Sequence, residues 1–174
     1  MTSNWALPRT VSQYAEEGAD SVHILWEETD SFNGLKNLDG RSIKTTKDLM
    51  HIARDPKHAI LQKTYFLKIT DFVFENLPPV LTGIELKLSM KRQGRITDDT
   101  VQLSLNNQLV GLNQANLSLD PIKIYGGENT LWDSALSITD ISNPLFGVVL
   151  RFQSHPRWPH KSTPLIDAVE IRIH

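Results

Sequence analysis

The chain has 174 residues, 40% of them hydrophobic and 22% charged, with no cysteine and a net charge of −2. That is the size of one ordinary domain with its own core, and the lack of cysteine excludes disulfides, thiol nucleophiles and Cys-ligated metal sites. The near-balance of 18 basic against 20 acidic residues argues against a nucleic-acid binder, which carries a basic excess, and no run reaches the ~20 apolar residues that span a bilayer.

The N-terminal residues Met1 to Thr10 hold no basic stretch followed by an apolar one, so no secretory signal is expected there. Residues 1–62 are irregular. They hold a weak strand candidate at 22–26 and turn signals at Gly34 and Asp39-Gly40. Thr45-Thr46-Lys47-Asp48 has capping-box spacing ahead of Leu49, Met50, Ile52 and Ala53, which predicts a short helix closed by Asp55-Pro56. This segment either adds strands to the sandwich formed by residues 63–174 or forms an arm reaching a neighbouring subunit. The need to bury Trp5, Trp26 and Phe32 favours the first.

Beyond residue 63 the dominant period is two. Residues 66–74 (Phe-Leu-Lys-Ile-Thr-Asp-Phe-Val-Phe) are almost continuously apolar, as in a strand buried on both faces, and Asn76-Leu77-Pro78-Pro79 stops them. Ile84, Leu86, Leu88 and Met90 alternate with polar residues, as do Val101, Leu103 and Leu105. Arg92-Gln93-Gly94-Arg95 and a tight Asn106-Asn107 turn bound the second run. A strand at 122–125 ends at Gly126-Gly127. Ser137 opens a second short helix that Asn143-Pro144 must break. Residues 147–152 and the alternating Val169, Ile171 and Ile173 complete the set. Strands bounded by turns at this spacing predict an all-β, antiparallel β-sandwich, jelly-roll-like, with one or two short helices.

Three groups of residues could carry chemistry. His155-Pro156-Arg157-Trp158-Pro159-His160 brings two histidines, a cation and an aromatic ring into a proline-stiffened loop. His155, Arg157, Trp158 and His160 suit contact with a partner protein or a sugar ring; a metal site is the lesser alternative, since no acid lies within the segment and Asp167 alone could approach it. Asp98-Asp99, expected in a loop, has too few neighbouring oxygens for calcium and is read as a turn. Asp167 falls by strict alternation on the face of Val169, inward or at the sandwich rim, so it must be hydrogen-bonded or paired, with backbone amides of a neighbouring loop, Arg151 and Arg157 as candidates. Its expected role is to pin a loop. Nucleophile-elbow, phosphate-loop, dinucleotide and His-Glu-x-x-His motifs are absent, so neither catalysis nor a cofactor is expected.

The order of several motifs adds to this. Residues 72–78 (Phe-Val-Phe-Glu-Asn-Leu-Pro) lead to Gly83-Ile84-Glu85-Leu86. Residues 97–103 (Thr-Asp-Asp-Thr-Val-Gln-Leu) are followed by 109–115 (Leu-Val-Gly-Leu-Asn-Gln-Ala). Then come Tyr125-Gly126-Gly127 with Trp132 five residues on, Ile138-Thr139-Asp140-Ile141, Phe146-Gly147-Val148 and Asp167-Ala168-Val169-Glu170-Ile171. This order resembles a β-sandwich module that recurs in virion structural proteins of tailed bacteriophages. The 155–160 insertion departs from the pattern, and the first sixty residues lie outside it.

The resemblance implies a non-enzymatic subunit of the tail, neck, baseplate or capsid decoration. It would be made in the host cytoplasm and located in the virion, and would act as a homo-oligomer in contact with other virion proteins. It also implies structural roles for Gly83, Gly126, Gly127 and Trp132. The alternative is a carbohydrate-binding or receptor-recognition module with Trp158 as its platform for a host surface glycan. Neither reading involves nucleic acid or a membrane.

Overall fold

Two sheets bury the alternating apolar residues between them. The computed structural model describes residues 2–16, 23–28, 32–53, 59–93, 95–155 and 161–174. In chain order its elements are β1 (Pro8–Tyr14), β2 (His23–Ile24), α1 (Asn33–Lys36), β3 (Ile43–Lys44), β4 (His51–Ala53), β5 (Ala59–Leu61) and β6 (Lys63–Thr64). They continue with β7 (Phe66–Phe72), β8 (Ile84–Gln93), β9 (Ile96–Leu105), β10 (Gln108–Val110), β11 (Ile122–Gly127), α2 (Ile138–Ile141), β12 (Gly147–Ser154) and β13 (Thr163–Ile173). Among the described residues no helix is long and apolar enough to cross a membrane.

The smaller sheet has the order β11-β8-β13-β3. In the seven-stranded sheet β12 is central. It pairs with β9 along one side, and on the other with β7 over Gly147 to Leu150 and with β6 at Gln153. β1 extends the sheet beyond β7, β10 pairs with β9, and β2 runs parallel to β6. The pairing is nested: β8 with β13 encloses β9 with β12, so one antiparallel ribbon continues from sheet to sheet. The fold is therefore an all-β, jelly-roll-like sandwich with two short helices.

Ile84, Leu86 and Leu88 of β8 face inward with Val169, Ile171 and Ile173 of β13. Opposite them lie Leu67 and Ile69 of β7, Val101 and Leu103 of β9, and Val148, Leu150 and Phe152 of β12. Each side chain of this size stabilises by about 1.5–3 kcal/mol when fully buried. In β12 the outward Val149 and Arg151 are buried too, which explains why its apolar run hardly alternates.

The first residues bind both sheets. Ser3 and Ala6 exchange backbone and hydroxyl hydrogen bonds with Ile173 and Ile171 of β13, and from Pro8 the chain crosses to pair with β7. Trp26 and Phe32 enter the core, and the Trp26 indole donates to the Tyr65 carbonyl at 3.0 Å. Trp5 does not. It lies half-buried on the outside of the smaller sheet, with Lys87 Nζ 4.6 Å and Arg172 Cζ 4.5 Å from its ring centre.

The Asn106-Asn107 turn is the expected tight hairpin. Both asparagines have positive φ (51° and 66°), and Leu105 pairs with Gln108. Ser137 caps α2 through a capping box with Asp140. The helix expected after Thr45 does not form. Thr45 bridges to Trp26 and Leu49 to Ser162, and the Thr45 hydroxyl donates to the Lys47 carbonyl rather than capping a helix. One isolated turn leaves most of its backbone groups unpaired, whereas the extended form finds partners at once. The helical turn lies earlier instead, at α1, too short to leave a periodic signal.

The two glycines that end β11 are not equivalent. Gly126 has φ +80°, and a Cβ there would sit 2.0 Å from the Ile84 carbonyl oxygen and 2.5 Å from Trp132 Nε1. At Gly127 the nearest atom to such a Cβ is 3.8 Å away. Gly126→Ala is therefore expected to lower stability by more than about 1 kcal/mol, and Gly127→Ala to change it by less than about 0.5 kcal/mol. Urea unfolding midpoints of the two variants check this contrast.

Candidate interaction edge

β11 is an edge strand with an inverted pattern. Its cation and phenol point inward, Lys123 and Tyr125 being buried, while Ile122 and Ile124 point out and are 61% and 50% exposed. The ladder fixes the direction of its backbone as well. Met90 N–H donates to the Pro121 carbonyl at 2.7 Å, and alternation from that pair turns Lys123 and Tyr125 toward β8. The N–H and C=O groups of Ile122 and Ile124 thus point away from the sheet. Among the described strands β11 pairs with β8 alone, so this edge has both free hydrogen-bonding groups and apolar side chains.

What holds β11 this way round is a buried ionic triad across the sandwich. Asp98 of β9 accepts from Lys123 Nζ at 2.7 Å, from the Tyr125 hydroxyl at 2.6 Å and from the Asn116 backbone N–H at 3.3 Å. The side chains of Asp98 and Lys123 are 0% and 5% exposed. Burial, reinforced by the neighbouring Asp98, pushes the Tyr125 phenol far above its ordinary range, so it stays a donor.

This corrects the reading of Asp98-Asp99 as a turn. Both lie within β9, where a bulge opposite Arg151 and Phe152 inserts Asp99 as an extra residue. Asp98 then enters the core opposite Phe152, while Asp99 joins Arg151 on the outer face. Counting back by twos from Val101 gives the reverse, because alternation holds only where no residue is inserted.

The other end of β11 is held by the residues that the motif order singled out. Trp132, 1% exposed and with φ 57°, donates its indole N–H to the Ile84 carbonyl at 3.0 Å. Gly126 lies against the same carbonyl, and a Cβ on Gly83 would fall 2.1 Å from the Gly127 oxygen. Gly83, Gly126 and Trp132 thus form one packed joint between β8 and β11, and Gly127 only passes through it.

The remaining sequence candidates lie elsewhere. His155 is buried at the end of β12, where its N–H donates to the Arg95 carbonyl at 3.0 Å. Arg157, Trp158 and His160 lie outside the described residues. Asp167 sits in a second bulge, between Ile166 and Ala168, which turns it off the inward face; it is half-exposed and meets Ser42 Oγ and Lys91 Nζ rather than Arg151. Among the described residues there is no set of three or more His, Asp or Glu able to share a metal ion.

Arg151 anchors a separate cluster on the outer face of the seven-stranded sheet. Its guanidinium donates to Asp99 at 2.5 Å and to Glu16 at 2.6 Å, lies 4.0 Å from the Phe66 ring centre, and shares Asp99 with Lys63 at 2.6 Å. Burial would lift the Asp99 pKa, but hydrogen bonds from Lys63 and Arg151 outweigh it and hold the group below its ordinary value. Arg151 does the same for Glu16, through a hydrogen bond and its charge. Burial, with Arg151 nearby, lowers His23, whose Nδ1 has no partner among the described residues.

Comparison with known protein families, characterised proteins and solved structures finds no match for this chain.

Removing one partner of the triad leaves the other buried and charged. Asp98→Ala is expected to cost about 3–5 kcal/mol, and the double replacement Asp98→Leu/Lys123→Met to recover most of that loss; a denaturant double-mutant cycle measures both. In the outer cluster all three shifts have one sign, because the unfolded chain binds protons more readily than the folded one. Stability should first decline as the pH falls below the ordinary His23 value of 6.5. It should decline further as the pH falls through the lowered values of Glu16 and Asp99. His23→Gln is expected to flatten the first part of that curve in urea titrations at stepped pH.

Proposed function

We propose that this chain is a structural subunit of a tailed bacteriophage particle, working through contact with neighbouring subunits rather than turnover. The observation that carries this reading is the open edge of β11, where Ile122 and Ile124 are exposed beside backbone groups that no described strand uses. Soluble domains usually blunt such edges with charge, proline or a covering loop. The one charge on β11, Lys123, is turned inward and neutralised by Asp98. An edge of this kind accepts an extended segment from another chain by strand addition. The order of motifs from Phe66 onward, which resembles virion sandwich modules, supplies the setting, and copies of the chain arranged by symmetry would present the same edge repeatedly.

Mass spectrometry of gradient-purified particles should find the chain in fixed copy number, and its absence from them would remove this reading. The double variant Ile122→Lys/Ile124→Lys should keep the wild-type unfolding midpoint within about 0.5 kcal/mol, since both side chains are exposed, yet fail to enter particles. Normal incorporation of that variant would clear the β11 edge of any part in assembly.

A further inference from the structure

On the outer face of the seven-stranded sheet, away from the β11 edge, lies a half-open hollow of about 260 Å³. Tyr14, Lys68, Val149, Ser104 and the hairpin residues Asn107, Gln108 and Leu109 line it. Register explains the gathering: Tyr14 pairs with Phe66, Leu109 with Ser104, and Val149 with Lys68, which brings β1, β7, β12, β9 and β10 onto one surface. We propose that this hollow binds an acidic saccharide.

Four features carry the assignment. Tyr14 is 40% exposed, and its ring is held by stacking on Phe66 at 5.0 Å and 19°, so one aromatic surface is fixed in place at the rim. Leu109, 48% exposed, adds apolar surface on the hairpin side. Ser104 Oγ is buried in the wall with no hydrogen-bond partner among the described residues, although buried polar groups are nearly always paired. Among the described residues Lys68 Nζ bonds the neutral Asn107 Oδ1 alone, and none of those lining the hollow is a carboxylate.

A fixed aromatic surface beside amide and hydroxyl groups suits a sugar ring, whose C–H face is apolar and whose rim is polar. A lysine with no acidic partner among the described residues selects a ring that carries a carboxylate. The neighbouring Arg151 is not available for this role, because Glu16 and Asp99 already neutralise it. This site goes beyond the assembly reading and stands or falls without it.

The test uses the whole ¹⁵N-labelled chain with trigalacturonate and, as a neutral control of equal length, maltotriose. Trigalacturonate should shift the amide signals of residues 104–109 and of Tyr14, and maltotriose should bind clearly more weakly. Loss of the charged hydrogen bond in Lys68→Gln should weaken binding by about tenfold. Leu109→Glu, a change at an exposed hairpin position that leaves the core untouched, should abolish it by setting a carboxylate at the rim. Absence of shifts at these residues, equal binding of the two sugars, or unchanged affinity in Leu109→Glu would each overturn the assignment.

Discussion

The Asp98 carboxylate, sealed between the sheets, decides how the edge of this sandwich is built. The bulge in β9 commits it to the interior opposite Phe152, where an ion without a partner costs several kcal/mol. Beside the Asn116 backbone N–H, its partners are Lys123 and Tyr125 of β11, and these two can reach it only with β11 turned so that Ile122 and Ile124 face out. Burying two isoleucines instead would gain about 1.5–3 kcal/mol each. That gain is offset by leaving Asp98 unpaired and placing Lys123 where nothing needs it. The triad selects one of two parities for β11, and with it which side chains line the open edge.

The same comparison separates what the sequence reveals from what it hides. Where inward residues alternate without interruption, as in Ile84, Leu86 and Leu88 or Val169, Ile171 and Ile173, the strand and its buried face are plain in the sequence. The Asn106-Asn107 hairpin and the Ser137 cap are equally legible, because both rest on local chemistry. The two bulges are not. An inserted residue at Asp99 and another at Asp167 reverse the faces of everything on their N-terminal side, and no residue type marks either site. The segment after Thr45 misleads for a related reason: its capping hydroxyl is real, but long-range partners at Trp26 and Ser162 outbid one isolated turn.

The candidate edge was half visible. Gly83, Gly126, Gly127 and Trp132 stand out in the sequence, and three of the four form the joint that anchors β11 to β8. Ile122 and Ile124 did not stand out, because an Ile-Lys-Ile-Tyr run taken alone suggests buried isoleucines and an exposed lysine. Reading it correctly requires knowing that an acid waits across the sandwich, twenty-five residues back in the chain.

Charge elsewhere follows one pattern. Glu85 is met by Arg172 and His174, Lys87 by Glu170, and Asp99 by both Lys63 and Arg151. These pairs cancel across neighbouring strands, in keeping with a net charge of −2, and leave little field to steer a distant partner. Recognition at either of the two proposed places would then depend on short-range fit. The β11 edge points sideways, along the direction in which a sheet grows, whereas the Tyr14 hollow opens outward from the face of the other sheet. A strand added at the first need not cover the second, so both can be occupied in one copy of the chain.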